Sequence, residues 1–118
     1  MNKIVRVTLI GNGNTTDFET KCVINEKDNT IKYVENDELN TIVKFDFKDY
    51  TLTRKNKNMK LRYKFLLNEV TNGELEVTGM NTKMILRVET RYIKHNDKNI
   101  EIEFLVENEK FKYNIEVK

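Results

Sequence analysis

Between Asn58 and Leu67 the chain reads Asn58-Met59-Lys60-Leu61-Arg62-Tyr63-Lys64-Phe65-Leu66-Leu67, with apolar and cationic side chains taking turns. Met59, Leu61, Tyr63, Phe65 and Leu67 are expected on one face, and Lys60, Arg62 and Lys64 on the other. A period of two is the signature of a strand lying half in a core and half in water. A helix would smear both kinds of residue around one cylinder. The same alternation recurs over residues 82–92, 99–106 and 110–117, so the chain is constrained to fold as strands around one shared interior.

Composition agrees with sheet. The sequence lacks alanine, the best helix former, and is rich in threonine, isoleucine, valine and aromatics. It lacks proline, tryptophan, serine and glutamine as well. At 118 residues it is read as a single domain, 1–118. The net charge of +2, with 34% charged residues, gives neither sign the dominance that general attachment to nucleic acid or lipid needs. No apolar run approaches the roughly 20 residues of a membrane-spanning helix. The N-terminus enters an alternating strand without the apolar stretch of a signal peptide. The lone Cys22 cannot form an internal disulfide. The expectation is therefore a cytoplasmic protein.

Further strands are expected at residues 3–10 (Val5, Val7 and Leu9 inward), 17–25 (Phe18, Thr20, Cys22, Ile24) and 30–36 (Ile31, Tyr33, Glu35). Others follow at 41–47 (Val43, Phe45, Phe47), 49–55 (Tyr50, Leu52, Arg54) and 74–78 (Leu75, Val77). Gly11-Asn12-Gly13-Asn14, residues 26–29, 36–40 and 95–98, Thr71-Asn72-Gly73 and Asn108-Glu109 are expected as turns, and Gly79 as a bulge or bend. Eight to ten short strands joined this way make an all-β antiparallel meander. A sheet of that length curls and closes, because open edges invite aggregation.

The order of residues is also familiar. Ile31-Lys32-Tyr33-Val34-Glu35, Thr41-Ile42-Val43-Lys44-Phe45, Leu52-Thr53-Arg54, then Phe65 and Gly73-Glu74-Leu75-Glu76-Val77 resemble the YwiB-like family of small bacterial proteins of unknown function. The resemblance implies a calycin-like (lipocalin-like) β-barrel and no particular activity, ligand or catalytic residue. Cys22 and Asn56 depart from it, standing where the family pattern has glycine. Gly79 stands where it has threonine.

Candidate chemistry is sparse. Nucleophilic catalysis needs a base beside a serine, cysteine or threonine. Serine is absent, and the single histidine, His95, is expected in a turn far along the chain from Cys22. One cysteine and one histidine do not make a zinc site. Gly11-Asn12-Gly13 lacks the following helix that a dinucleotide-binding loop requires. No catalytic residue, metal ligand or cofactor is assigned, and the protein is expected not to be an enzyme.

Residues 54–64 carry Arg54, Lys55, Lys57, Lys60, Arg62 and Lys64 without an acidic residue. Such a hairpin can hold single-stranded nucleic acid through Lys60, Arg62 and Lys64. The competing reading pairs these cations across strands with outward glutamates. Parity meanwhile aims Glu35 and Arg54 inward, where an unpaired charge is too costly to keep. They are expected either as an ion pair near one end of the barrel, with Tyr33 or Thr41 as further partners, or as two side chains that snorkel to water from the strand ends. The interior is expected to be mostly filled, with at most a small cleft. The inward residues expected to fill it include Phe45, Phe47, Tyr63, Phe65, Tyr92, Phe104, Phe111 and Tyr113. The leading expectation is a binding module for a small molecule or a protein partner, monomeric or homodimeric and without membrane contact. Glu35, Arg54, Tyr33 and Thr41 are its candidate ligand residues, and nucleic-acid binding by the hairpin ranks behind it.

Overall fold

Alternation alone leaves each strand with two hydrogen-bonding edges, and this chain satisfies both by closing on itself. The computed structural model describes residues 3–35, 38–80, 82–96 and 99–118. The strands are β1 (Lys3–Gly11), β2 (Asn14–Asn25), β3 (Thr30–Val34), β4 (Ile42–Asp46) and β5 (Thr51–Lys55), followed by β6 (Met59–Lys64), β7 (Val70–Val77), β8 (Lys83–Asn96), β9 (Asn99–Val106) and β10 (Glu109–Val117). Each pairs antiparallel with its neighbours in sequence, and β1 also pairs with β10, so the meander is a closed barrel. An antiparallel ring of this kind closes on an even number of strands, and closure removes the exposed edges.

The turns follow residues that tolerate positive φ. Asn12 (φ 55°) and Gly13 (φ 74°) link the paired residues Gly11 and Asn14, which is the two-residue hairpin that Asn-Gly favours. The last hairpin puts its two positive-φ residues at Glu107 and Asn108, one position earlier than Asn108-Glu109. Gly79 (φ 88°) sits in the turn from β7 to β8, where the Met80 N–H donates to the Val77 carbonyl at 3.1 Å. The expected turns at 36–40 and 95–98 include residues 36, 37, 97 and 98, which lie outside the described residues.

Inward and outward faces largely follow the alternation. Val5, Ile31, Phe45, Phe65, Ile100, Ile102 and Ile115 are fully buried, while Lys60, Arg62 and Lys64 are exposed. Four expectations need correction. Thr71-Asn72-Gly73 is not a turn but the interior of β7. Gly73 is required there because an added Cβ would lie 2.8 Å from the Tyr63 ring. The reversal lies instead between β6 and β7, where Asn68 takes φ 62° and the Glu69 N–H donates to the Leu66 carbonyl. Leu67 consequently leaves the inward face and is exposed.

Tyr92 also points outward. Thr90 is opposite Phe104 and Tyr92 opposite Glu103, so Arg91 is an extra residue in β8 and the facing switches beyond it. Beyond the bulge His95 still belongs to β8, not to a turn.

The two ends of the barrel are filled differently. At the end where β4 finishes and β5 begins, Phe47 stacks on His95 with centroids 5.0 Å apart, and Tyr50 meets the same imidazole edge-on at 5.9 Å. Phe45 packs against Phe47 at 5.0 Å, and Phe65 against Phe104 at 4.8 Å. The opposite end is lined partly by polar groups and is not filled.

Candidate ligand-binding site

β3 leaves the barrel wall after Val34, and the next residue, Glu35, is tied down by its backbone. Its N–H donates to the Thr41 carbonyl at 2.8 Å, clamping the exit of β3 to the entry of β4. Arg54, near the end of β5, faces the same interior. Its Nε and Nη2 donate to the two Glu35 carboxylate oxygens, each at 2.8 Å, in a bidentate pair. The side chains retain 32% and 19% exposure for Arg54 and Glu35, so the pair sits at a rim rather than in a dry core. Burial works against the Arg54 charge, but the hydrogen bond and charge of Glu35 outweigh it and hold the guanidinium above its ordinary pKa.

The expected pair is therefore made, while the side chains of its expected neighbours bond to other residues. The Tyr33 hydroxyl is hydrogen-bonded to that of Tyr113, from β10 across the barrel. Both phenols are buried, and burial pushes both to pKa values above the usual tyrosine range. Thr41 is buried and accepts a hydrogen bond from Asn56 Nδ2 at 3.0 Å. The Asn56 amide oxygen accepts from the N–H groups of Asn58 and Met59 at 2.8 and 3.0 Å. Asn56 thus builds the β5–β6 turn with its side chain, where a glycine would offer only backbone freedom.

A cavity of about 220 Å³ lies beside the pair. Glu35, Arg54, Tyr33, Tyr113, Tyr63 and Thr16 bring polar atoms to it, and Phe18, Phe104, Phe111, Leu9, Leu61 and Val106 are among its apolar walls. Thr41 does not line it. Tyr113, Tyr63 and Thr16 were not among the candidate ligand residues. Inward parity located Tyr63 and Tyr113, but only barrel closure brings β10 opposite β3. Phe45 and Phe65 do not line the cavity and belong to the packed layer beyond it. A wider depression of about 670 Å³ lined by Lys55, Met59, Glu76, Thr78 and Lys83, among others, is open to solvent, and its Lys83 and Glu76 pair at 3.6 Å.

The cationic hairpin lies on the outer wall. Lys60 stands opposite Glu76, Arg62 opposite Glu74, and Lys64 opposite Thr51, while Lys83 reaches both glutamates. Cys22 is a buried free thiol, pushed up in pKa by burial, and His95 is against Phe47 and Tyr50. Among the described residues, no group of three or more histidine, cysteine or acidic side chains is placed to hold a metal. None of them forms a helix long and apolar enough to cross a membrane.

The fold is similar to that in the crystal structure of the ywiB protein from Bacillus subtilis, with a TM-score of 0.66 and 16% sequence identity. The match covers 99% of this chain and 89% of that one. The chain has a YwiB-like fold. No protein-family model matches the sequence, and no curated protein does. At this identity the likeness is one of backbone, and the cavity must be read from its own side chains.

Proposed function

We propose that this chain is a non-enzymatic, calycin-like barrel of the cytoplasm that binds a small molecule in the cavity beside the Glu35–Arg54 pair. The observation that carries this reading is the company the pair keeps. A bidentate ion pair and two hydrogen-bonded phenols are set into a mostly apolar wall, and they border a space that is not filled. Such concave, mostly apolar sites with a few convergent polar groups are the usual form of a small-molecule pocket. Eight strands are just wide enough for side chains to fill a barrel or admit one small ligand. Ten strands leave more room, and the aromatic layer takes up that room at one end only.

Native mass spectrometry of the protein isolated from cell extract tests the reading. A bound small molecule is expected, and it should be lost from a Val7→Phe variant, which puts a ring into the cavity. A bound oligonucleotide would instead favour the Lys60, Arg62 and Lys64 face. A protein partner, or a barrel that carries nothing, would count against the cavity.

A further inference from the structure

The cavity's only described ion pair is internally neutralised, and that sets what it can recognise. Glu35 takes the Nε and Nη2 edge of Arg54, leaving the Nη1 edge of the guanidinium as a donor alongside a carboxylate acceptor. The Tyr33 and Tyr113 hydroxyls, which can each donate or accept, lie on the same cavity. An anionic head group would gain Arg54 but face Glu35 at this partly buried rim, and a cation would meet the reverse conflict. Like charges brought together at such sites are strongly disfavoured. A neutral head with a donor and an acceptor side by side meets both partners without disturbing the pair.

The remaining walls suit a flat apolar body. Phe104 and Phe111 are stacked with centroids 5.7 Å apart, and Tyr63 lies 6.0 Å from Phe104. Size bounds the body: an apolar cavity of about 150 Å³ accepts benzene. A cavity of about 220 Å³ therefore holds one ring and a small substituent. We infer that the ligand is a small neutral molecule with a single flat apolar ring and an amide-like head, the head read by the Glu35–Arg54 pair. This rests on the cavity reading above and specifies its ligand class.

Three probes of nearly one shape decide it: benzamide, benzoate and benzamidinium, neutral, anionic and cationic at pH 7. Each is titrated into the protein to about 10 mM, a range suited to the weak affinity of so small a ligand, while NMR follows the Tyr33 and Tyr113 ring signals. Benzamide is expected to bind at least about tenfold more tightly than either charged probe. In Glu35→Gln, which keeps the shape and leaves Arg54 unneutralised, the preference should turn to benzoate by a similar factor. If benzoate or benzamidinium leads in the unmodified protein, the neutral-head assignment is overturned while binding in the cavity stands. If none of the three moves the tyrosine signals, the cavity reading falls and takes this assignment with it.

Discussion

The two ends of this barrel are built from the same alternating strands but solve opposite problems. Where Phe47, Tyr50 and His95 meet, the rings interlock, and Phe45 and Phe65 behind them are wholly buried. At the other end, Phe18, Phe104 and Phe111 form walls around a space bordered by Glu35, Arg54, Tyr33 and Tyr113. The difference is one of side-chain chemistry. Rings packed on rings gain dispersion energy with only a mild orientation preference. Charges and hydroxyls accept only partners in fixed directions, so they hold a shape open instead of collapsing into it. In this fold one end supplies cohesion, which leaves the other free to keep a cavity.

The largest expected effect tests the packed end. Phe65→Ala removes a fully buried ring that touches Tyr63 and Phe104. It should destabilise the protein by about 3–5 kcal/mol in urea melts. A loss below about 1 kcal/mol would mean that the aromatic layer is not the keel of the barrel.

At the open end, Arg54→Ala should cost about 2–3 kcal/mol. That lies between the small value of exposed pairs and the 3–5 kcal/mol seen when one partner of a buried pair is removed. The double replacement Glu35→Leu with Arg54→Met strands no charge and should lie closer to the unmodified protein. A double-mutant cycle with coupling of at least about 1 kcal/mol would confirm a true couple, and simple additivity would dissolve it.

The tyrosine pair gives the open end a response to alkali. Tyr33 and Tyr113 are held above the usual phenol pKa of 10.0, chiefly by burial, and Tyr63 shifts the same way. An unfolded chain begins to lose these protons near pH 10 while the folded chain keeps them, so the folded state binds more protons above that pH. The stabilisation is therefore complete below about pH 10 and declines as pH rises toward the folded values, by at most about 1.4 kcal/mol per pH unit for each tyrosine. Urea melts between pH 8 and about pH 11 should show the decline, and Tyr113→Phe should remove one tyrosine's share of the slope. An unchanged slope would mean that the phenol is not sheltered.

The smallest effect has the opposite sign. Among the described residues, the Thr90 Oγ1 is a buried side-chain oxygen without a hydrogen-bond partner. Thr90→Val keeps the shape and deletes the hydroxyl, and should stabilise by up to about 1 kcal/mol. A measurable loss would show that the hydroxyl is satisfied.

Much of the wall was legible because strands advertise themselves locally. Asn12-Gly13 accepts the positive φ of its hairpin, and residues 59–65 alternate without a break until the chain turns. The Glu35–Arg54 pair was legible only in part: parity aims two charges inward, but pairing and snorkelling to water both relieve the cost, and the bidentate contact decides between them. What failed was anything that depends on who sits across the barrel. Gly73 looks like a turn residue until the Tyr63 ring is seen to need its missing side chain. The extra residue Arg91 breaks the parity that placed Tyr92 inside, and nothing in the local pattern marks it. The Tyr33–Tyr113 bond joins residues far apart in sequence, and no periodicity within either strand encodes it.

Every strand pairing but one joins sequence neighbours through a short reversal. The exception is β1 with β10, which joins Val5 to Val117 and is followed by a bond from the Lys118 N–H to the Ile4 carbonyl. Hairpins can zip one after another at low entropic cost, but that seam must gather nearly the whole chain before it gains anything. Chain statistics therefore place it last in the order of assembly. Before it closes, the molecule is a curled ribbon with β1 and β10 bare along their lengths, and either can template a second copy. The vulnerable moment in the life of this protein is the instant before the ring shuts. Pulsed hydrogen exchange during refolding should find the amides of the β1–β10 ladder protected after those of the hairpins.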